Sequence, residues 1–177
     1  MTTDVDRPEV FGADEQTEVD VELLHWIGLA RLVLEEERVS SDAEMSLILV
    51  DEATIVDLNE RFLGGQGPTD VLAFPMDDDA VVSGRQPDLG GRGPGGSSDP
   101  SDPPVVVGDV VLCPAVARRQ ARERGITFED ELALLVVHGV LHLLNYDHAD
   151  ERDAQAMRRR EQELLDRYRE RHQGGGR

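Results

Sequence analysis

His138-Gly139-Val140-Leu141-His142-Leu143-Leu144-Asn145-Tyr146-Asp147-His148 holds three of the five histidines of the chain, and its spacing is that of a helix followed by a turn. His138 and His142 are four residues apart, so on a helix they share one face about one turn (~6 Å) apart and both imidazoles reach one ion. Asn145 follows two leucines and tolerates the left-handed backbone that ends helices, which lets the chain turn back and bring His148 to the same point. Three neutral imidazoles leave the fourth tetrahedral position of a single zinc ion open to water, the arrangement of a catalytic rather than a closed structural site.

Working back from this stretch, Thr127-Phe128-Glu129-Asp130 reads as a capping box and places a helix start just before Glu129. The helix then runs through Leu132-Ala133-Leu134-Leu135-Val136-Val137 to about Leu144, apolar on nearly all sides and therefore buried. Imidazoles emerging from a buried helix must be hydrogen-bonded or metal-bound, because an unsatisfied polar group there is costly. The histidine spacing is zincin-like: it matches the His-Glu-x-x-His-x-x-Gly-x-x-His pattern of metzincin proteases, with Asn145 at their glycine. Where those proteases carry the glutamate that moves a proton, this chain has Gly139, which argues against a conventional metalloprotease.

The rest of the chain supplies a sheet and its covering helices. Residues 1–18 are polar and aperiodic, mostly irregular with room for one short edge strand. Apolar residues recur at helical spacing from Val19 to the acidic Glu35-Glu36-Glu37, and His25 within that helix reads as a packing or surface residue. Met45–Val50 is a buried strand, residues 53–62 a helix with Asp51 or Thr54 as cap, and Thr69–Pro75 a strand after the loop Gly64-Gly65-Gln66-Gly67-Pro68. Residues 77–104, dominated by Asp, Gly, Pro and Ser, are expected to be a mobile surface insertion rather than a domain boundary. Val105–Leu112 resumes the sheet with Gly108 inside it, and Pro114 opens a helix that Gly125 stops. That helix carries Arg118, Arg119, Arg122 and Arg124, either a solvated face or a phosphate-contacting patch. Asp150 caps a last helix with Ala154, Met157, Glu161, Leu164, Leu165 and Tyr168 on one side, and residues 172–177 are expected to be disordered. The expectation is a single α+β domain with a small mixed sheet of about four strands and about five helices.

Composition narrows the setting. The single cysteine, Cys113, excludes an internal disulfide and fits a reducing compartment, and there is neither a signal-peptide start nor a membrane-spanning run, so a cytoplasmic protein is expected. The net charge of −19 weighs against phosphate binding, yet it is unevenly spread. Residues 1–100 carry 6 Arg against 23 Asp and Glu, and residues 101–177 carry 12 Arg against 14. Lysine is absent, so every cationic side chain is a guanidinium, the group with fork geometry suited to phosphate.

The His138–His148 stretch resembles the HGxLHLxGYDH signature of the YbeY family of bacterial endoribonucleases. Thr69-Asp70-Val71-Leu72-Ala73-Phe74-Pro75 is similar to that family's TDVLSFP segment, and Gly108-Asp109-Val110-Val111 to its GD-I-V strand. Leu58-Asn59 and Met157-x3-Glu161 match as well, so the resemblance spans about residues 20–168 in order. It implies one zinc ion held by His138, His142 and His148, and a role in small-subunit ribosomal RNA maturation and ribosome quality control, with ribosomal RNA and ribosome or assembly factors as partners. Three departures stand out: Asn145 for glycine, Ala73 for serine, and Leu63 where the family often has an arginine that acts on the RNA phosphate. Arg61 is the nearest guanidinium and the candidate for that role. Asp147, Asp70 and Asp109 are candidate partners of the ligands rather than bases. Two other readings remain at this point: a zinc hydrolase of a non-RNA substrate such as peptide, and a ribosome-assembly factor whose zinc is chiefly structural.

Overall fold

The computed structural model describes residues 7–76, 104–146 and 150–173. Strand β2 (Ala43–Leu49) buries every second residue, Ala43, Met45, Leu47 and Leu49, the period-2 pattern of a strand with one face on a core. Around it the chain runs β1 (Glu9–Asp14), α1 (Leu23–Glu36), β2, α2 (Glu52–Leu58), a π-helical turn (Asn59–Leu63), β3 (Val71–Pro75), β4 (Val105–Leu112), α3 (Pro114–Arg124), α4 (Phe128–Leu143) and α5 (Glu151–Gln173). The sheet order is β1-β2-β4-β3, with β1, β2 and β4 parallel and β3 antiparallel to β4, giving the expected α+β domain with a mixed four-stranded sheet.

Helix α4 occupies the centre, packed on β3 and β4 and flanked by α1, α3 and α5. Its near-continuous apolar sequence follows from that position: Leu132, Val136, Val137, Val140 and Leu141 are fully buried. The principal core lies between this helical layer and one sheet face, while Ile55, Leu72, Val111 and Val116 form a smaller cluster on the other. The local caps behave as read. Thr127 accepts from the Asp130 N–H at 3.1 Å, Asp51 from Thr54 at 2.8 Å and Asp150 from Asp153 at 2.9 Å.

Gly108 marks a break in the ladder. Between Glu44 and Met45 of β2 the β4 partner jumps from Val106 to Gly108, so Val107 is the extra residue of a bulge. The bulge resets the alternation, which is why Val107 and Val110, three apart, both enter the principal core. Gly108 has φ +138°, and a Cβ there would lie 2.3 Å from the Phe74 carbonyl oxygen, so glycine is required.

Other expectations shift in detail. The polar N-terminal segment does hold an edge strand, because Glu9–Asp14 pair in register with Glu44–Leu49 even though only Val10 is buried in it. The helix expected over 53–62 changes its winding at Asn59 and continues as the π-helical turn until Gly64, at φ +64°, ends it. Disorder from residue 172 is corrected, since α5 continues to Gln173; residues 174–177 lie outside the described residues. The expected insertion, apart from Pro104, also lies outside them. Among the described residues no helix is long and apolar enough to cross a membrane.

Candidate metal and catalytic site

The α4 register places His138 and His142 on the same side of the helix, where their rings meet edge to face with centroids 4.5 Å apart. The two Nε2 atoms face one another at 3.0 Å. The other nitrogen of His138, Nδ1, is 2.5 Å from Glu161 Oε1 on α5. The carboxylate can accept a proton carried on Nδ1, an arrangement that leaves a lone pair on His138 Nε2, the nitrogen that faces His142.

This donor set fits a zinc ion. Tetrahedral zinc with Zn–N distances of about 2.0–2.1 Å holds its nitrogens about 3.3 Å apart, so the observed pair needs to open by only a few tenths of an ångström. Among the described residues no third His, Cys, Asp or Glu joins the pair in a metal-sized cluster, and His148, the third expected ligand, lies outside the described residues. The turn leading to it is described. Asn145 is left-handed at φ +63°, its N–H donates to the His142 carbonyl at 3.1 Å, and the Tyr146 N–H donates to the Leu141 carbonyl at 3.0 Å. These are the two bonds of a Schellman cap, the turn expected of asparagine at this position. The Tyr146 hydroxyl then donates to Glu37 at 2.8 Å, and Arg160 donates to the same carboxylate, anchoring the chain two residues before His148.

Beside the histidines lies a cleft of about 350 Å³ lined by Leu63, Val71, Leu72, Ala73, Pro75, His138, Gly139 and His142. Four positions of its wall, Val71, Leu72, Ala73 and Pro75, come from β3, the last strand of the sheet among the described residues, so the cleft borders a strand edge that no described strand pairs. The Asp70 carbonyl accepts from Cys113 and the Met76 N–H donates to Val107, which puts the even-numbered residues of β3 in register with β4. By the same alternation the N–H and C=O of Ala73 turn outward, toward the cleft side. The serine hydroxyl of the related segment is missing at Ala73, but these main-chain groups do not depend on it. Gly139 also has a packing role: a Cβ there would sit 2.7 Å from Val110 Cγ1 and 3.1 Å from Val71 Cγ2. The glutamate of the protease pattern therefore has no room at this position, quite apart from its chemistry.

Arg61 is on the π-helical turn, 69% exposed, and paired with Asp57 at 2.8 Å; it is not among the cleft-lining residues. Leu63, at the position of the related family's arginine, does line the cleft. On α3, Arg119 pairs with Glu52 and Arg124 with the fully buried Glu131, so half of that arginine row serves the fold. The Asp70 carboxylate accepts from the Val71 N–H at 2.8 Å. The carboxylate that does reach a histidine is Glu161, singled out in the sequence by its place on the apolar side of the last helix and not linked there to His138.

A family model described as "Endoribonuclease YbeY" matches residues 12–169. An endoribonuclease YbeY of Acidothermus cellulolyticus is 48% identical over 151 residues, covering 85% of this chain and 86% of the relative. One from Frankia casuarinae is 43% identical over 156 residues, covering 88% of this chain and 72% of its own. The solution structure of a Thermotoga maritima protein, 24% identical, superposes with a TM-score of 0.60 over 94% of this chain and 93% of that one, a likeness of fold.

Proposed function

The chain belongs to the endoribonuclease YbeY family, and from that premise we propose a zinc-dependent, single-strand-preferring endoribonuclease acting in small-subunit ribosomal RNA maturation and ribosome quality control in the cytoplasm. The observation that carries the metal part is the facing pair of Nε2 atoms, 3.0 Å apart, at the mouth of a cleft. One ion per chain would be held by His138, His142 and His148. When bound, zinc supplies Lewis acidity toward water or the scissile phosphodiester.

The chain's own groups divide the remaining work. His138 and His142 present ring nitrogens from a buried helix. The outward Ala73 N–H donates to a phosphate or base oxygen, and Leu63, Val71 and Pro75 give the cleft an apolar wall. Arg61 neutralises charge on the phosphoryl oxygens by exchanging its Asp57 partner for RNA phosphate. An exposed pair of this spacing stabilises by only about 0.3–0.5 kcal/mol, so the exchange costs little.

The test is metal analysis with single-turnover cleavage of ribosomal RNA by the wild type and His142→Ala. The expected result is about one zinc per wild-type chain, with zinc and cleavage lost together in the variant. Full cleavage by a metal-free preparation refutes the proposal. The β3 edge that no described strand pairs and the absence of arginine from the described cleft lining also suit an extended peptide, which pairs through its main chain. Hydrolysis of casein with none of RNA would select that second reading.

A further inference from the structure

We infer that Glu161 is a positioning residue that sets the tautomer of His138 and thereby its strength as a ligand; the inference rests on the zinc reading above. Helix α5 turns Met157, Glu161, Leu164 and Leu165 to the core, and among these neighbours Glu161 is 8% exposed. A carboxylate on such a face needs a partner, because burial removes its water. Among the described residues the two other buried polar ones meet that need within the fold: Gln16 caps the turn to Val19, and Glu131 takes Arg124. Glu161 takes an imidazole instead, 23 residues earlier in the chain and in the site itself, at 2.5 Å from Nδ1.

The geometry makes that contact directional. With Nδ1–H given to Glu161, Nε2 of the neutral ring has only a lone pair, and it is Nε2 that faces His142 at 3.0 Å. Without the carboxylate, Nδ1–H loses this acceptor, and the tautomer with the proton on Nε2, where it blocks the ligand position, gains population. The negative charge also raises the electron-donating power of Nε2, and partners of this kind change metal affinity by about 10–100-fold when removed. Helix α5 lies outside the histidine stretch yet supplies the group that readies it.

Two variants separate this role from simple packing. Glu161→Met keeps length and apolar contact while removing the acceptor, and Glu161→Gln keeps an acceptor while removing the charge. Zinc affinity is measured by chelator competition, and the ring nitrogens of His138 are read by ¹⁵N NMR in the metal-free proteins, with thermal melting of the same samples as the folding control. The expected result is an Nδ1–H tautomer in the wild type, its loss in Glu161→Met, a zinc Kd raised about 10–100-fold in that variant and by less in Glu161→Gln, with melting unchanged or raised. Zinc bound equally by the wild type and both variants overturns this inference and leaves the zinc reading standing. A wild-type chain that binds no zinc overturns both.

Discussion

Gly139→Ala tests the packing that holds the two histidines against the sheet. The added methyl would stand 2.7 Å from Val110 Cγ1, 3.3 Å from Val110 Cγ2 and 3.1 Å from Val71 Cγ2, where carbon pairs settle at about 3.5–4.0 Å. Val110 is fully buried in β4 and has no room to retreat, so α4 must lift by close to 1 Å or Val110 must leave its rotamer. Overpacking of this kind costs about 1–3 kcal/mol, and the better helix propensity of alanine returns about 1 kcal/mol. The expected net loss is up to about 2 kcal/mol, read from urea or guanidinium denaturation of the metal-free protein. In a Val110→Ala background two of the three close carbons are gone and only Val71 Cγ2 at 3.1 Å remains, so most of the cost of Gly139→Ala should disappear. Because residue 139 sits between His138 and His142, the proposed ligands, the displacement should also weaken zinc binding in the single variant, with recovery in the double one. An equal cost of Gly139→Ala in both backgrounds refutes the assigned contact.

Three further outcomes follow from named contacts. Gly108→Ala combines a φ of +138° with a Cβ 2.3 Å from a main-chain oxygen and should cost more than about 3 kcal/mol by the same denaturation assay; a loss under 1 kcal/mol contradicts the bulge geometry. Burial pushes the Cys113 thiol above its ordinary range, so at a given pH it holds less thiolate. It should resist a thiol reagent at pH 8 in the native protein and react at once in denaturant, and equal rates would show that the site opens freely. Arg61→Ala should lower RNA cleavage by about 10²-fold with zinc affinity unchanged, Asp57→Asn should not lower it, and Leu63→Arg should restore part of the loss, all read in single-turnover assays. Wild-type cleavage by Arg61→Ala removes the role given to that guanidinium.

Much of the site was legible because it is local. The His138–His142 pair lies four residues apart on one helix, and the caps at Thr127 and Asn145 act through bonds spanning at most five residues, so spacing and backbone preference suffice to read them. The strands rich in Val, Leu and Ile announced themselves by composition. β1 did not, since most of its residues are exposed and only pairing with β2 makes Glu9–Asp14 a strand.

What the tertiary structure decided are the contacts between distant parts of the chain. Which strand forms the open edge beside the histidines depends on sheet order, which periodicity does not encode. The requirement for glycine at 139 comes from Val110 and Val71 across the helix–sheet interface, and Glu161 reaches His138 because α5 folds back over α4. Glu37 holds Tyr146 from 109 residues away. Leu63 lines the cleft and Arg61 does not, and which face of the turn meets β3 is set by packing rather than by the two-residue spacing. Local stereochemistry thus determined the histidine pair of α4 and the turn that follows it, whereas packing across the core decided which carboxylate reaches that pair and which groups line the cleft.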